Sequence, residues 1–269
     1  MTTKETHLGM LSSAEAEERL KSRPVILLPF GAQEGHGPHL PLGADYLVAE
    51  AIAVRASRQC NALVAPVMPY GYAPHFRNFH GGVSTRPEIT QMLAEDLMAG
   101  FHRFGCDRFI FVDNHAHNDA PLEVAARAMQ DRLGVKLAHF YPWRVMTAWG
   151  PELFGDRWAS SFGHGAEPNN SVMLYLWPER YLKDRAVKGG MRPLGGLKLT
   201  SSRTASLDAV TIGLYFDIDQ VNDTGVTGGD PSVADAKIGE ILVDRTAAAL
   251  AKLVGWIEKL PAEDSRRRR

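Results

Sequence analysis

The stretch Val25-Ile-Leu-Leu-Pro-Phe30, followed by Gly31-Ala-Gln-Glu-Gly-His-Gly-Pro-His-Leu-Pro-Leu-Gly-Ala-Asp45, decides the reading of the fold. Residues 25–30 are an apolar run without alternation, the pattern of a strand buried on both faces. Pro29 marks the end of that run because it has no N–H to give to a ladder. The polar loop then gathers Glu34, His36, His39 and Asp45 in one turn. Gly35, Gly37, Pro38, Pro41 and Gly43 let its backbone bend tightly enough for these side chains to converge. Residues 46–60 have alanine-rich helical character, and residues 62–67 return as a second apolar strand.

The same order extends outward. Upstream, Ser12-Ser-Ala-Glu15 is a capping box that opens a short charged helix ending near residue 21. Downstream come a loop over 68–87, a helix to about 105, a strand over 108–113, a polar turn, a helix through 132 and a strand over 135–141. Buried strands alternating with helices predict an α/β protein, a three-layer α/β/α sandwich with a mostly parallel central sheet. Its sites belong outside the carboxyl ends of the strands. Past Trp143 the pattern loosens into a helix over 168–177, a variable stretch to residue 206 and one more strand over 211–217. A glycine-rich loop over 222–230 then leads into a long C-terminal helix with Ser232 as N-cap. One domain over 1–269 is expected, with 1–10 and 261–269 as flexible tails.

Of 269 residues, 45% are hydrophobic and 23% charged, enough for a substantial core. The formal net charge of −1 leaves no basic field for nucleic acid or an anionic membrane. Arg266 to Arg269 read as a solvated tail. Cys60 and Cys106 cannot make a disulfide framework, and no window is apolar enough for a membrane span or a signal segment, so the expected location is cytoplasmic. No Gly-x-Ser-x-Gly elbow or cysteine–histidine pair offers a covalent nucleophile. The glycines of 225–230 lack the lysine of a phosphate loop, which excludes nucleotide binding.

What remains is metal-ligand chemistry. The first loop brings carboxylates and imidazoles to one strand end, a set that suits zinc, manganese or iron. The strand over 108–113 delivers a second set, Asp113, Asn114, His115, His117, Asn118 and Asp119. If that strand continues, His115 and His117 point to the same side. A third cluster, His164-Gly-Ala-Glu167-Pro-Asn169, enters a helix and offers an acid or base near neutral pH, with Glu167 orienting the imidazole or a water. His39, His75, Asn118, Asn169 and Trp149 are expected to face the substrate.

With these residues in place, the chain resembles the creatininase (creatinine amidohydrolase) family. The resemblance rests on the whole loop from Gly31 to Asp45, on Val83-Ser-Thr-Arg-Pro-Glu88, on Asn114-His115-Ala-His117-Asn118 and on residues 225–230. It implies a dinuclear metal site, frequent hexameric assembly and hydrolysis of cyclic or linear amide C–N bonds in a small-molecule substrate. By position, Glu34, Asp45 and His115 would hold one divalent ion, and His36 with a bridging Asp45 the second. His117 stands where creatininase has a glutamate ligand, and Asn169 where relatives usually carry a glutamate. Some relatives open ketonic rings such as an inosose by C–C hydrolysis, which is the rival chemistry. A catalytically inactive metal-binding or assembly protein is the alternative of another class.

Overall fold

A computed structural model describes residues 5–261. Its central sheet has four strands, β1 (Val25–Phe30), β2 (Ala62–Val64), β3 (Arg108–Asp113) and β4 (Lys136–Phe140). They are all parallel, in the order β2-β1-β3-β4. Alternate residues of the buried strands feed two separate cores. Val25, Leu27, Ile110 and Val112 face one layer, and Ile26, Leu28, Phe30, Phe109 and Phe111 face the other.

The helices are α1 (Ser13–Leu20), α2 (Ala44–Ser57), α3 (Pro87–His102), α4 (Asp119–Leu133), the short α5 (Pro142–Thr147), α6 (Gly150–Phe154) and α7 (Trp158–Ser161), then α8 (Asn169–Leu176) and α9 (Ala236–Ile257). Helices α2, α8 and α9 cover the first face with Val48, Ile52, Val172, Met173, Leu242 and Leu250. Helices α3 and α4 cover the second with Ala94, Met98, Leu122 and Met129. The expected α/β/α layering is the observed one. Ser12 caps α1 in the expected box with Glu15, and Pro87 opens α3 where its missing N–H costs nothing.

Several expectations are corrected. Thr6 is buried and His7 bridges to Val64, so the described part of the N-terminal segment packs against β2 rather than hanging free. Strand β2 stops at Val64, short of residue 67 and just ahead of Pro66. Ser232 does not cap the last helix. Its N–H goes to Asp230 in a single turn, Ala234 is extended, and the Asp235 side chain caps α9 by accepting from Lys237 N. The stretch over 198–213 carries a three-stranded antiparallel sheet of its own, β5 (Lys198–Ser201), β6 (Thr204–Leu207) and β7 (Val210–Gly213). The strand expected over 211–217 is therefore shorter and belongs to this small sheet, with Leu199 and Ala205 buried beneath it. The tail Arg266 to Arg269 lies outside the described residues. Among the described residues no helix is long and apolar enough to cross a membrane.

Candidate metal centre

Strands β1 and β3 are neighbours, with Phe30 paired to Asp113, so the loops that leave them start side by side. The first loop brings Glu34 and His36, and Asp45 sits in the first turn of α2, where the helix dipole favours a carboxylate. Gly31 permits this closeness, since a Cβ there would come within 2.4 Å of Tyr46 N. The second loop brings His115. All four residues are buried, at 3% exposure or less.

The two oxygens of Asp45 face different imidazoles. Oδ1 lies 3.2 Å from His36 Nε2, and Oδ2 lies 3.0 Å from His115 Nδ1. Glu34 Oε1 lies 3.3 Å from His115 Nδ1, 3.7 Å from His36 Nε2 and 3.0 Å from His164 Nε2. Trp143 Nε1–H donates to Asp45 Oδ1 at 3.2 Å and fixes that carboxylate. The far nitrogen of each ring is tied to a backbone carbonyl, which can only accept. His36 Nδ1–H donates to Glu34 O (3.3 Å), His115 Nε2–H to Tyr72 O (3.1 Å) and His164 Nδ1–H to Gly225 O (3.0 Å). The near nitrogens therefore turn lone pairs toward carboxylate oxygens that offer only lone pairs, and Glu34 Oε2 has no hydrogen-bond partner among the described residues. Such an array closes only around positive charge, as protons or as metal ions.

The acid–base directions agree. Burial alone would raise Glu34, but His115 and His164 hold its carboxyl well below the usual range. Burial opposes charge on His36 and His115, yet Asp45 outweighs it at His36, and Glu34 with Asp45 lifts His115 well above an ordinary imidazole. Two groups of donor atoms, each mutually within 4.8 Å, have the composition of a divalent-cation site: Glu34, Asp45 and His115, and Glu34, His36 and His164.

The remaining candidates fall in several places. Strand β3 ends at Asp113, and His117 sits in a single turn over Ala116–Asn118, so it does not share a strand face with His115. It lies beside the centre, with ring centroids 5.3 Å from His115, and joins neither donor group. Burial, reinforced by His115 and His75, drives His117 down to about 2, leaving a neutral ring whose Nε2 has no partner. His164 is stacked between His36 and Phe76, at 4.3 and 4.1 Å between centroids. Glu167 is fully buried and makes no hydrogen bond to His164, so of the two roles expected of it, orienting the imidazole is not seen. It accepts from Ser171 N, its Oε1 is unpartnered, and burial raises it to about 7.

A cavity of about 520 Å³ opens over the centre and is lined by Glu34, His36, Asp45, His115, His117, His164 and Glu167. Of the five residues expected to face substrate, Asn169 alone lines it. His39 is buried with Nε2 on Asn170 Oδ1, His75 lies behind His117 with Nδ1–H on Phe216 O, and Asn118 is enclosed. Trp149 packs against the core under Arg245; Trp143 is the indole that reaches the site. Phe76, Tyr141, Arg144, Met191, Thr200 and Ser202 complete the walls. Nothing short of the fold brings the small sheet of β5 to β7 here; only its run of hydroxyls from Thr200 to Ser202 was a signal.

A third group, Asp113, Asp119 and His139, lies toward the β4 edge. There the protein's own side chains already face the acids: His139 Nε2 is 3.3 Å from Asp113 Oδ2, and Arg144 is 3.2 Å from Asp119 Oδ2.

A parallel sheet between helical layers, carrying a buried carboxylate–imidazole centre across two adjacent strand ends, defines a metal-dependent hydrolase. The chain belongs to the creatinine amidohydrolase (creatininase) family, whose model matches residues 9–254. It is 29% identical over 262 residues to a mycofactocin precursor peptide peptidase of Mycobacterium ulcerans, covering 93% of this chain and 92% of that one. It is 27% identical over 207 residues to a creatinine amidohydrolase of Pseudomonas putida, covering 69% and 77%. Solved structures of creatininase in a manganese form and in a Zn-Zn form superpose with TM-scores of 0.76, at 23% and 22% identity, over 96% of this chain and all of theirs.

Proposed function

We propose that this protein hydrolyses the C–N bond of a linear, peptide-type amide at a centre of two divalent ions. The cavity carries the choice of substrate: about 520 Å³ lies in the range of roughly 300–1,000 Å³ that houses drug-sized ligands, well beyond the needs of one small ring. The likeness to a peptide peptidase along nearly the whole chain supports the same reading.

Glu34, Asp45 and His115 would hold one ion, and His36 with the second oxygen of Asp45 the other, with His117 alongside. Bound there, the ions supply a water acidic enough to attack near neutral pH and a Lewis acid for the substrate carbonyl. The chain's own residues do the rest. The Gly225 carbonyl holds His164 so that Nε2 faces the centre, and at 23% side-chain exposure this nitrogen is the one placed to move a proton to the leaving amine. Glu167 Oε1, buried and near pH 7 in affinity, holds a second proton at the cavity wall. Phe76 and Trp143 keep bulk water from the centre, and Asn169 with the hydroxyls of Thr200 and Ser202 offers polar contacts to the substrate backbone.

The test is turnover of short peptides and of simple cyclic amides by manganese- or zinc-loaded protein, read as amine release. Release from peptides supports the reading. Activity confined to cyclic amides contradicts the substrate class, and a product from a ring ketone without amine favours C–C hydrolysis. We further propose a homo-oligomer, a hexamer by resemblance, supported by the apolar face of Ile89, Met92 and Leu93 left exposed on α3 and checked by light scattering.

A further inference from the structure

We propose that Asn118 is a positioning residue that selects the tautomer of His115, and so decides which ring nitrogen is offered to the metal. The inference rests on the reading that His115 is a ligand through Nδ1.

Asn118 was expected to contact substrate, but it is fully buried and its amide is hydrogen-bonded inside the protein through both Nδ2 donors and Oδ1. Its Nδ2 donates to Gly31 O at 3.1 Å and to Asp113 Oδ1 at 3.0 Å, and its Oδ1 accepts from Tyr72 N at 2.9 Å. One amide thus ties together the end of β1, the end of β3 and the loop that passes over both. Asp113 Oδ1 also accepts from the backbone N–H of His115 at 3.2 Å, so both ends of the turn that carries His115 are held from the same carboxylate.

The consequence falls on the imidazole. The carbonyl of Tyr72 lies 3.1 Å from His115 Nε2; Asn118 holds the peptide unit before Tyr72 through its N–H, and Ser84 Oγ accepts from Ala73 N–H in the unit that bears this carbonyl. A carbonyl has no proton to give, so Nε2 carries the hydrogen and Nδ1 is left to face Asp45 and Glu34. If Tyr72 were free to move, either nitrogen could carry the hydrogen, and the tautomer with Nδ1–H would present a donor where a ligand is needed. The contact is too close for a side chain on the preceding residue: a Cβ on Gly71 would lie 2.4 Å from both Asn118 Oδ1 and Gly31 O. Partners that orient a metal-bound histidine in this way typically contribute 10–100-fold in metal affinity.

Asn222 supplies a matched comparison on the opposite wall. It is equally an interior amide, donating to Gly190 O and Val226 O at 2.8 and 2.9 Å and accepting from Thr224 N and Gly225 N at 2.9 and 2.7 Å. One N–H from which it accepts belongs to Gly225, whose carbonyl holds His164, which the functional reading places outside the ligand set.

The experiment is zinc affinity, by competition with a chelating dye, for full-length wild type, Asn118→Ala and Asn222→Ala, with melting temperatures of the zinc-free forms alongside. We expect Asn118→Ala to bind zinc about 10–100-fold more weakly and Asn222→Ala to stay within about threefold of wild type, although both lose comparable hydrogen bonds. Equal binding by Asn118→Ala overturns the proposal, and so does an equal weakening by Asn222→Ala, which would make the effect one of general packing. If wild type takes up no zinc, the functional reading falls and this proposal with it. A second measurement needs no variant: nitrogen-15 spectra of the zinc-loaded wild type should show His115 protonated on Nε2, and a proton on Nδ1 would overturn the assignment even if Asn118→Ala fails to fold.

Discussion

The two walls of the cavity are built by different rules. On the sheet side, Glu34, His36 and His115 leave the ends of two hydrogen-bonded parallel strands, Asp45 starts a helix packed on those strands, and each of the four is buried. On the facing side, Thr200 and Ser202 come from a small antiparallel sheet with few buried side chains, and His164, Thr227 and Gly228 come from loops. The first wall is a rigid frame suited to holding charge at fixed distances; the second is a surface suited to shaping around a substrate. Metal retention should depend on the first wall alone, and turnover or affinity for substrate on the second.

Five substitutions sharpen that division. His115→Ala removes a ligand from the rigid wall and should abolish metal retention and lower activity by roughly a thousandfold or more, about 4 kcal/mol of lost transition-state stabilisation; metal analysis and steady-state assays check both. His164→Ala should lower kcat by roughly 10²–10⁴-fold while metal content stays at the wild-type level, and loss of metal there would move His164 into the ligand set. Glu167→Gln should act through pH. The carboxyl is raised from 4.5 to about 7 in the folded protein, so the folded state favours its protonated form. That contribution is complete below pH 4.5 and is lost as pH rises through 7, a span of at most about 3 kcal/mol. The glutamine variant lacks this loss, so its stability relative to wild type should rise between pH 5 and pH 8 in denaturant titrations. Smallest of all, Thr200→Ala or Ser202→Ala should raise KM by a few-fold, about 1 kcal/mol for a hydrogen bond, with metal content unchanged.

The same division explains what the sequence made legible. The boundaries of β1 and β3 are those read from their apolar runs, because a strand buried on both faces leaves a continuous signature. Glu34, His36 and His115 stand in the sequence within a few residues of a strand end, and Asp45 closes the same polar loop at the start of α2, so these few ligand types were legible as a cluster. His117 would share a face with His115 only if the strand continued, and it lies in a single helical turn because the strand stops at Asp113, whose side chain caps the His115 N–H. His39, His75 and Asn118 are polar loop residues whose burial is set by tertiary contacts: to Asn170, to Phe216, and to Gly31, Tyr72 and Asp113. No local pattern separates such residues from ones that face a cavity. Strands β5 and β6 carry no clear signal, and β7 is shorter than its apolar run suggests, because strands of four residues bury little and alternate weakly.

Asp45 turns one oxygen toward His36 and the other toward His115, and in the proposed reading its carboxylate would be shared between two ions. Asp45→Asn keeps the shape of the side chain and an oxygen for Trp143 Nε1 while removing the charge, so it tests this directly. Metal content by mass spectrometry should show two divalent ions per wild-type chain and none in Asp45→Asn. Wild-type protein that turns over amides without bound metal, or an Asp45→Asn variant that keeps both ions, would contradict the account.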